Sequence, residues 1–316
     1  MTVTSQNEDP INNVLYLSQN QLVFCVITAV SLVGQLFTII TYYAIRNKNN
    51  KFYAYVAWHS ILGFPWLLSN YPALYFAQSD GTACKVFGFL NTFLYMTYML
   101  WNSVVAWVIY SSLKHRHKIE KLQWQYIPLT YFVSFILFIP SIIQDHFGAS
   151  SGNGMSYCWY KSPALTFEMA IGFYIPLVGS TLFNFVCYCK SAFLARKICS
   201  EAVTNDFDGL FIFPAIQGVC NSGAILKKLA IIFGNGYNEK WEILHIVLAK
   251  GQGMFEALAY FSNKSVRNEV KKAWFTPKYF YKSSRQGNFV ETSAFDSVSI
   301  ENEVNEHIKK LNQPIL

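Results

Sequence analysis

Seven times along the chain a run of about 20 mostly apolar residues appears, the length an α-helix needs to cross about 30 Å of hydrocarbon. The windows fall near 21–45, 52–77, 84–113, 124–144, 164–194, 209–233 and 241–263. In lipid each backbone polar group has to be satisfied by its own segment, so such a series restricts the fold to helices packed side by side. Composition agrees: 53% of the 316 residues are hydrophobic, 17% aromatic and only 14% charged, against about a quarter charged in an average soluble domain. The expectation is an all-α membrane protein, a seven-transmembrane helix bundle over 21–263.

Charge orients the bundle. Residues 1–20 hold Glu8 and Asp9 and no Lys or Arg, and they lack the basic start, apolar centre and small-residue cleavage site of a secretory signal. They read as a short extracellular N-terminus, with no domain ahead of the bundle and the first span acting as an uncleaved signal anchor. The first loop carries Arg46, Lys48 and Lys51, the next inner loop Lys114, Arg116, Lys118 and Lys121, and the fifth-to-sixth connection Lys190, Arg196 and Lys197. By the positive-inside rule these loops are cytoplasmic, which predicts a multi-pass plasma-membrane protein with its N-terminus outside and its C-terminus in the cytoplasm. The net charge of +7 is then met by anionic membrane lipid, with no nucleic acid needed. After the last span, 264–276 places Val266, Val270, Trp274 and Phe275 near one face with Lys and Arg opposite, the pattern of an amphipathic surface helix. From 277 to 316 the chain turns rich in Ser, Asn, Glu and Gln, a disordered cytoplasmic tail with Ser283, Ser284, Thr292, Ser293, Ser297 and Ser299 as candidate phosphorylation sites.

Of the seven cysteines, this topology puts only Cys84 and Cys158 on the oxidising side. They form either a disulfide, closing a long loop over the bundle, or two free thiols; the even count favours the bridge. The other five read as buried small hydrophobes, with Cys199 a candidate for palmitoylation.

The last apolar window contains the stretch "LAKGQGMFEALAY", with Lys250 and Glu256 inside it. An ionisable group at mid-membrane costs about 2.5–3.5 kcal/mol on insertion scales, so such groups usually face a bundle interior or polar cavity and mark function. Six residues turn a helix through about 600°, so the two side chains point apart and each needs its own partner. Lys250 has three readings. It anchors an anionic ligand together with Lys85, Lys161, Lys227 and Lys228; or it carries a Schiff base; or it bonds to backbone carbonyls or Glu168 of the fifth span. Glu256 fits a polar core with His59 of the second span and Asn102 of the third, while Gly251 and Gly253 let the last span pack closely as Gln252 donates across the interface. Its alternative is a protonated carboxyl in a packed interface. His245 reads as a wetted interfacial residue, and Trp58, Trp66, Trp101 and Trp107 as bundle filling. Pro65, Pro72, Pro140, Pro176 and Pro214 sit within or near the ends of spans, where each removes a backbone bond and kinks or hinges the helix.

Several motifs in this order carry a resemblance: "ACKVFGF" and "LWNSVVAW" in the third span, "YCWY" around Cys158, "FYIPLVGSTLFN" in the fifth, "LFIFPAIQGVCNSGAILKKL" in the sixth and "QGMFEALAYFSNKSVRNEV" after Lys250. Over about residues 20–275 the chain resembles G-protein-coupled receptors of the slime-mould cyclic-AMP-receptor family, neighbours of the secretin-like branch. Glu256 stands where that family's pattern has Asn, and Asn221 where a sixth-span Trp is expected. The rhodopsin-like D/E-R-Y and N-P-x-x-Y signatures are missing. The pair Ala249–Lys250 followed by Tyr260 also looks like the retinal-bearing span of animal opsins, although the third span holds no Asp or Glu to balance a Schiff base.

The resemblance implies a cell-surface receptor binding a small extracellular ligand, such as a cyclic nucleotide or another anion, and activating a heterotrimeric G protein. Lys250, Lys85, Lys161, Lys227, Trp159 and Glu168 are the candidate ligand residues, and His59, Asn102, Gln252, Glu256 and Pro214 the candidate activation core. A seven-span transporter or proton-coupled channel is the alternative, and a retinal photoreceptor a third. No nucleophile–base pair, metal spacing or phosphate loop occurs; "SGNG" at 151–154 and "GNG" at 234–236 read as turns, so neither catalysis nor a cofactor is expected.

Overall fold

The computed structural model describes residues 19–45, 51–78, 81–115, 123–152, 155–161, 166–198, 215–226, 228–229 and 239–275. Four stretches are helices long and apolar enough to cross a membrane: Asn20–Ala44, Thr82–Lys114, Gln125–Ile143 and Phe167–Leu194. They lie in α1 (Gln19–Ala44), α3 (Thr82–His115), α4 (Gln123–Ile143) and a run in which α5 (Phe167–Met169) passes through a π-helical segment, Ala170–Tyr174, into α6 (Ile175–Ile198). Two further helices, α2 (Lys51–Tyr75) and α8 (Glu239–Ser262), have similar length, α7 (Ala215–Leu226) is shorter, and α9 (Lys264–Phe275) follows α8. The chain is a mostly helical, multi-pass membrane protein.

The polarity of α1 shows what environment these helices suit. Thr28, Ser31, Gln35, Thr38 and Thr41, at helical spacing, are buried, whereas Leu22, Val26, Val33, Leu36 and Ile40 are exposed. A helix in water puts its apolar stripe inward; here that rule is inverted, as hydrocarbon surroundings require. α4 repeats the pattern, with Thr130, Ser134 and Ser141 inside and Phe132, Phe135, Ile136 and Ile139 outside. Some of the hydroxyls that face inward bond within their own helix, Thr38 to the Gly34 carbonyl at 3.0 Å and Thr41 to that of Phe37 at 2.8 Å, whereas Ser31 donates across to the Lys250 carbonyl of α8 at 2.5 Å.

α3 is the central helix, packing on α2, α4 and α6, while α1 lies along α8 and α2. Tyr95, Met96, Tyr98, Met99 and Trp101 of α3 are buried, and the first four join Trp66, Leu67, Phe138 and Leu177 in the main core. Trp107, read from sequence as filling, instead lies on the outside against Phe183 and Tyr110. α1 and α8 meet through small residues: a Cβ added at Gly34 would sit 3.0 Å from the Ala257 Cβ and 3.2 Å from the Gly253 carbonyl.

The all-α expectation needs one correction. An antiparallel hairpin, β1 (Phe147–Gly152) and β2 (Met155–Tyr160), follows α4, in register from Phe147↔Tyr160 to Gly152↔Met155. Its Asn-Gly turn signal was legible; its strands were not. The approach is set by the end of α4, where His146 N donates to the Ser141 carbonyl at 3.0 Å and Asp145 N to that of Ile142 at 3.1 Å, with Asp145 at φ 53°. That is a Schellman ending, with an aspartate tolerating the left-handed position that glycine usually fills. The hairpin is joined to the start of α3 by the Cys84–Cys158 disulfide, with Cα atoms 5.2 Å apart. Beside it Gly88 lets the backbone of Trp159 lie directly on α3, since an added Cβ would be 3.2 Å from the Trp159 nitrogen.

Expected boundaries shift at several places. The sixth window, 209–233, is described as helix over Ala215–Leu226. Pro214, Lys227 and Cys199 lie outside the described residues, as do most of the inner loops, the N-terminal stretch before residue 19 and the tail after 275. Val266 of α9 is buried with Ile45, Val56 and Tyr260, and Val270 packs beside them. The chain divides into two compact units, Met1–Val270 and Lys271–Leu316; of the second, only the helical residues 271–275 are described.

Candidate functional site

α8 carries both charges of interest, and each meets a different set of neighbours. Nζ of Lys250 donates to Oδ1 of Asn70 on α2 at 2.7 Å. Asn70 is held for this role, because its Nδ2 donates back along α2 to the carbonyls of Trp66 and Leu67 at 3.1 and 3.0 Å, which turns Oδ1 inward. The same oxygen also accepts from Asn91 Nδ2 at 2.9 Å and from the Tyr157 hydroxyl at 2.5 Å. Three donors on three elements therefore converge on one amide oxygen, which has two lone pairs.

Aromatic rings enclose the rest of the ammonium. The ring centroids of Trp66, Phe24 and Tyr157 lie 5.1, 5.3 and 5.5 Å from Nζ, distances at which a cation is drawn to a π face. Among the described residues no carboxylate pairs with Lys250. Tyr157 belongs to β2, one residue before the disulfide, so the hairpin supplies one wall of this cage. Burial pushes the Tyr157 phenol well above its usual range, and it stays a donor at neutral pH.

Glu256 lies six residues along α8, about 9 Å at 1.5 Å per residue. Its carboxylate accepts from the Tyr98 hydroxyl at 2.6 Å and from Gln252 Nε2 at 2.8 Å. His59 Nε2 of α2 is 2.8 Å from Oε1, placed for an ion pair when the imidazole is protonated, though without hydrogen-bond alignment. The His59 ring also stacks on Tyr98, centroids 4.2 Å apart. Gln252 thus donates along its own helix and not across an interface. Asn102 is half-buried and its Nδ2 has no hydrogen-bond partner, so no bond ties it to Glu256 or His59.

The remaining sequence candidates are placed elsewhere. Lys85 and Lys161 each donate to Asp145 Oδ2 at 2.7 Å. These two ammonium groups, Lys161 foremost, hold the Asp145 carboxyl down at about 2. The two lysines thus form a latch between α3, the end of α4 and the end of β2, and are not gathered around Lys250. Glu168 faces His146 at 3.4 Å, which disfavours its pairing with Lys250, one of the alternatives for that lysine. Lys228 is buried with its ammonium 5.6 Å from the Tyr174 ring. Trp159 packs edge-on against Phe173, centroids 5.2 Å apart. His245 is half-buried, its Cα close against Gly223 of α7. Asn221 of α7, where the resemblance implies Trp, accepts from the Tyr95 hydroxyl at 2.8 Å.

Sequence reasoning missed Asn70, Asn91, Trp66, Tyr98, Tyr157 and Asp145 as site residues. Uncharged polar and aromatic residues on apolar helices carry little signal singly; the spacing of Trp66 and Asn70, one helical turn apart, was the one available hint. No protein-family model matches the sequence and no curated protein is similar to it, which leaves the geometry as the ground for a functional reading.

Proposed function

We propose that the chain is a G-protein-coupled receptor: a seven-span bundle in the plasma membrane, N-terminus outside, that binds a small extracellular anion and activates a heterotrimeric G protein on its cytoplasmic face. α2, α7 and α8 supply the spans beyond the four apolar helices. The observation that carries this reading is the position of Lys250, an ammonium with no carboxylate partner among the described residues, enclosed by aromatic rings and walled by a hairpin that a disulfide holds over the helices.

The mechanism follows from the two charges sharing one helix. A ligand that takes up Lys250 and Tyr157 relieves the crowding of donors on Asn70 and biases α8 relative to α2. About 9 Å further along α8, Glu256 is bonded to α3 through Tyr98 and sits against His59 of α2, so a shift of α8 has to change those contacts. Binding favours the shifted arrangement only by its differential affinity for the two states. The buried His59–Glu256 pair also gives the transport reading its one specific support, since ionisable groups inside a bundle form proton paths.

Nucleotide exchange on a mixed set of G proteins, in membranes containing the full chain and screened against cyclic nucleotides and other small anions, tests the proposal. Exchange evoked by an anion, with the response lost in Lys250→Met at normal surface expression, supports a receptor. Silence across the panel, together with proton flux in vesicles holding the same folded protein, would replace it by a carrier.

A further inference from the structure

Lys250 and its surroundings restrict the chemistry of the ligand beyond its sign. Among the described residues one cation, Lys250, faces the cage. Lys85 and Lys161 share Asp145, and Lys228 lies against Tyr174. A phosphate monoester or polyphosphate carries two or more charges and is usually met by several Lys or Arg side chains or by a helix N-terminus, none of which the cage offers among the described residues. What the cage does offer is one ammonium, the Tyr157 hydroxyl and the Asn91 amide as converging donors, with Ser69 Oγ behind Asn91 at 2.9 Å and aromatic faces around them.

We infer that this site takes a hydrophobic monocarboxylate, an apolar or aromatic body ending in one carboxylate that pairs with Lys250 and accepts from Tyr157 and Asn91. The identification rests on the receptor reading of the same site, which supplies the access of a ligand from outside. A carboxylate matches the donor set in number: two oxygens with about four lone-pair positions relieve an amide oxygen that now accepts from three donors. It also matches in charge, giving the ammonium a counter-ion that no described residue supplies. The rings of Phe24, Trp66 and Tyr157 suit the apolar body, because aromatic pairs gain beyond the area they bury. Asn70 explains how the site stands without the ligand: its oxygen, fixed by the α2 carbonyls, is a neutral stand-in for the carboxylate.

The test compares acids with their own amides on the full chain in lipid nanodiscs. The probes are 3-phenylpropionate and 2-naphthoate, 3-phenylpropionamide and 2-naphthamide, and phenyl phosphate, each titrated against the thermal unfolding midpoint, which a ligand raises in proportion to ln(1 + [L]/Kd). The expected result is that at least one acid raises the midpoint and binds about tenfold or more tightly than its amide, the factor a charged hydrogen bond supplies. The preference should vanish in Lys250→Met and in Asn70→Asp, where the protein provides its own counter-ion. Equal effects of acid and amide, tighter binding of phenyl phosphate, an acid effect that survives Lys250→Met, or no shift with any acid would each overturn the inference; the acid–amide comparison needs no variant to fold. Nucleotide exchange with the same compounds separates the two claims. A carboxylate that binds without evoking exchange keeps the ligand class and removes the receptor, whereas exchange evoked by a ligand of another class keeps the receptor and removes the carboxylate.

Discussion

Two charged side chains on one helix occupy opposite situations. Glu256 is furnished: Tyr98 and Gln252 donate to it and the His59 Nε2 stands 2.8 Å away, a countercharge when protonated. Lys250 has one amide oxygen, shared with two other donors, and three aromatic faces. A buried charge is tolerated when its surroundings complete it, and a site that leaves one incomplete has given up stability for something else. The lower region is therefore read as structure that can rearrange, and the hairpin end as a place awaiting a partner.

The comparison breaks most visibly at Glu256. Glu256→Ala leaves Tyr98 and Gln252 without their shared acceptor, and breaking a buried polar cluster by removing one member costs up to about 3–5 kcal/mol; the unfolding midpoint of the purified protein should fall accordingly, and an unchanged midpoint would show that the cluster is not held in place. Next in size, Cys158→Ser frees the hairpin from α3 at a cost of about 2–5 kcal/mol. That variant should lose ligand response together with stability, because Tyr157 then no longer closes the cage, and full response in its presence would detach the hairpin from the site. Lys250→Met should move the other way, raising stability by about 1 kcal/mol as an uncompensated buried charge gives way to an apolar chain of similar length. A loss as large as that of Glu256→Ala would make Lys250 structural and erase the contrast.

The smallest effect belongs to the exposed latch. The folded Asp145 carboxyl titrates at about 2 against an ordinary 3.8, lowered by Lys161 and then Lys85. A carboxyl lowered in the fold stabilises above its unfolded value, so this contribution is present above about pH 4 and is lost as pH falls through 2. Asp145→Asn should therefore lower the midpoint slightly at pH 7 and in low salt, with the gap to the unaltered chain closing below pH 2. A difference that persists in strong acid would mean that something other than the charge of the carboxylate is what the aspartate serves, since asparagine tolerates the left-handed backbone equally well.

These contrasts also mark how far the sequence could be read. Hydropathy identifies the long apolar helices because their length and lack of charge are set by the hydrocarbon thickness alone. Cys84 and Cys158 were paired by compartment, and the opposed directions of Lys250 and Glu256 by the 3.6-residue turn. The hairpin was not legible as strands, since "FGASSG" has no β-branched residue and, after Phe147, only small residues, and its place depends on Gly88 and on the turn at Asp145. Asn70 was invisible for a different reason. An asparagine in an apolar helix gains its meaning from Lys250, 180 positions later, and no periodicity connects the two. Lys85 and Lys161 were grouped with Lys250 by sign, and the single Asp145 that claims both could be found only in space.

The π-helical segment Ala170–Tyr174 has a consequence for chain length. Such a segment accommodates one residue more than an α-helix of the same rise. A chain one residue shorter between 170 and 174 would run on as plain α-helix, turning Phe167–Met169 by about 100° relative to α6. Glu168 would swing away from His146 and Gly172 from the Leu137 carbonyl against which it now packs. A single-codon deletion here would thus re-aim the entry to the sixth helix without altering any residue that lines the cage.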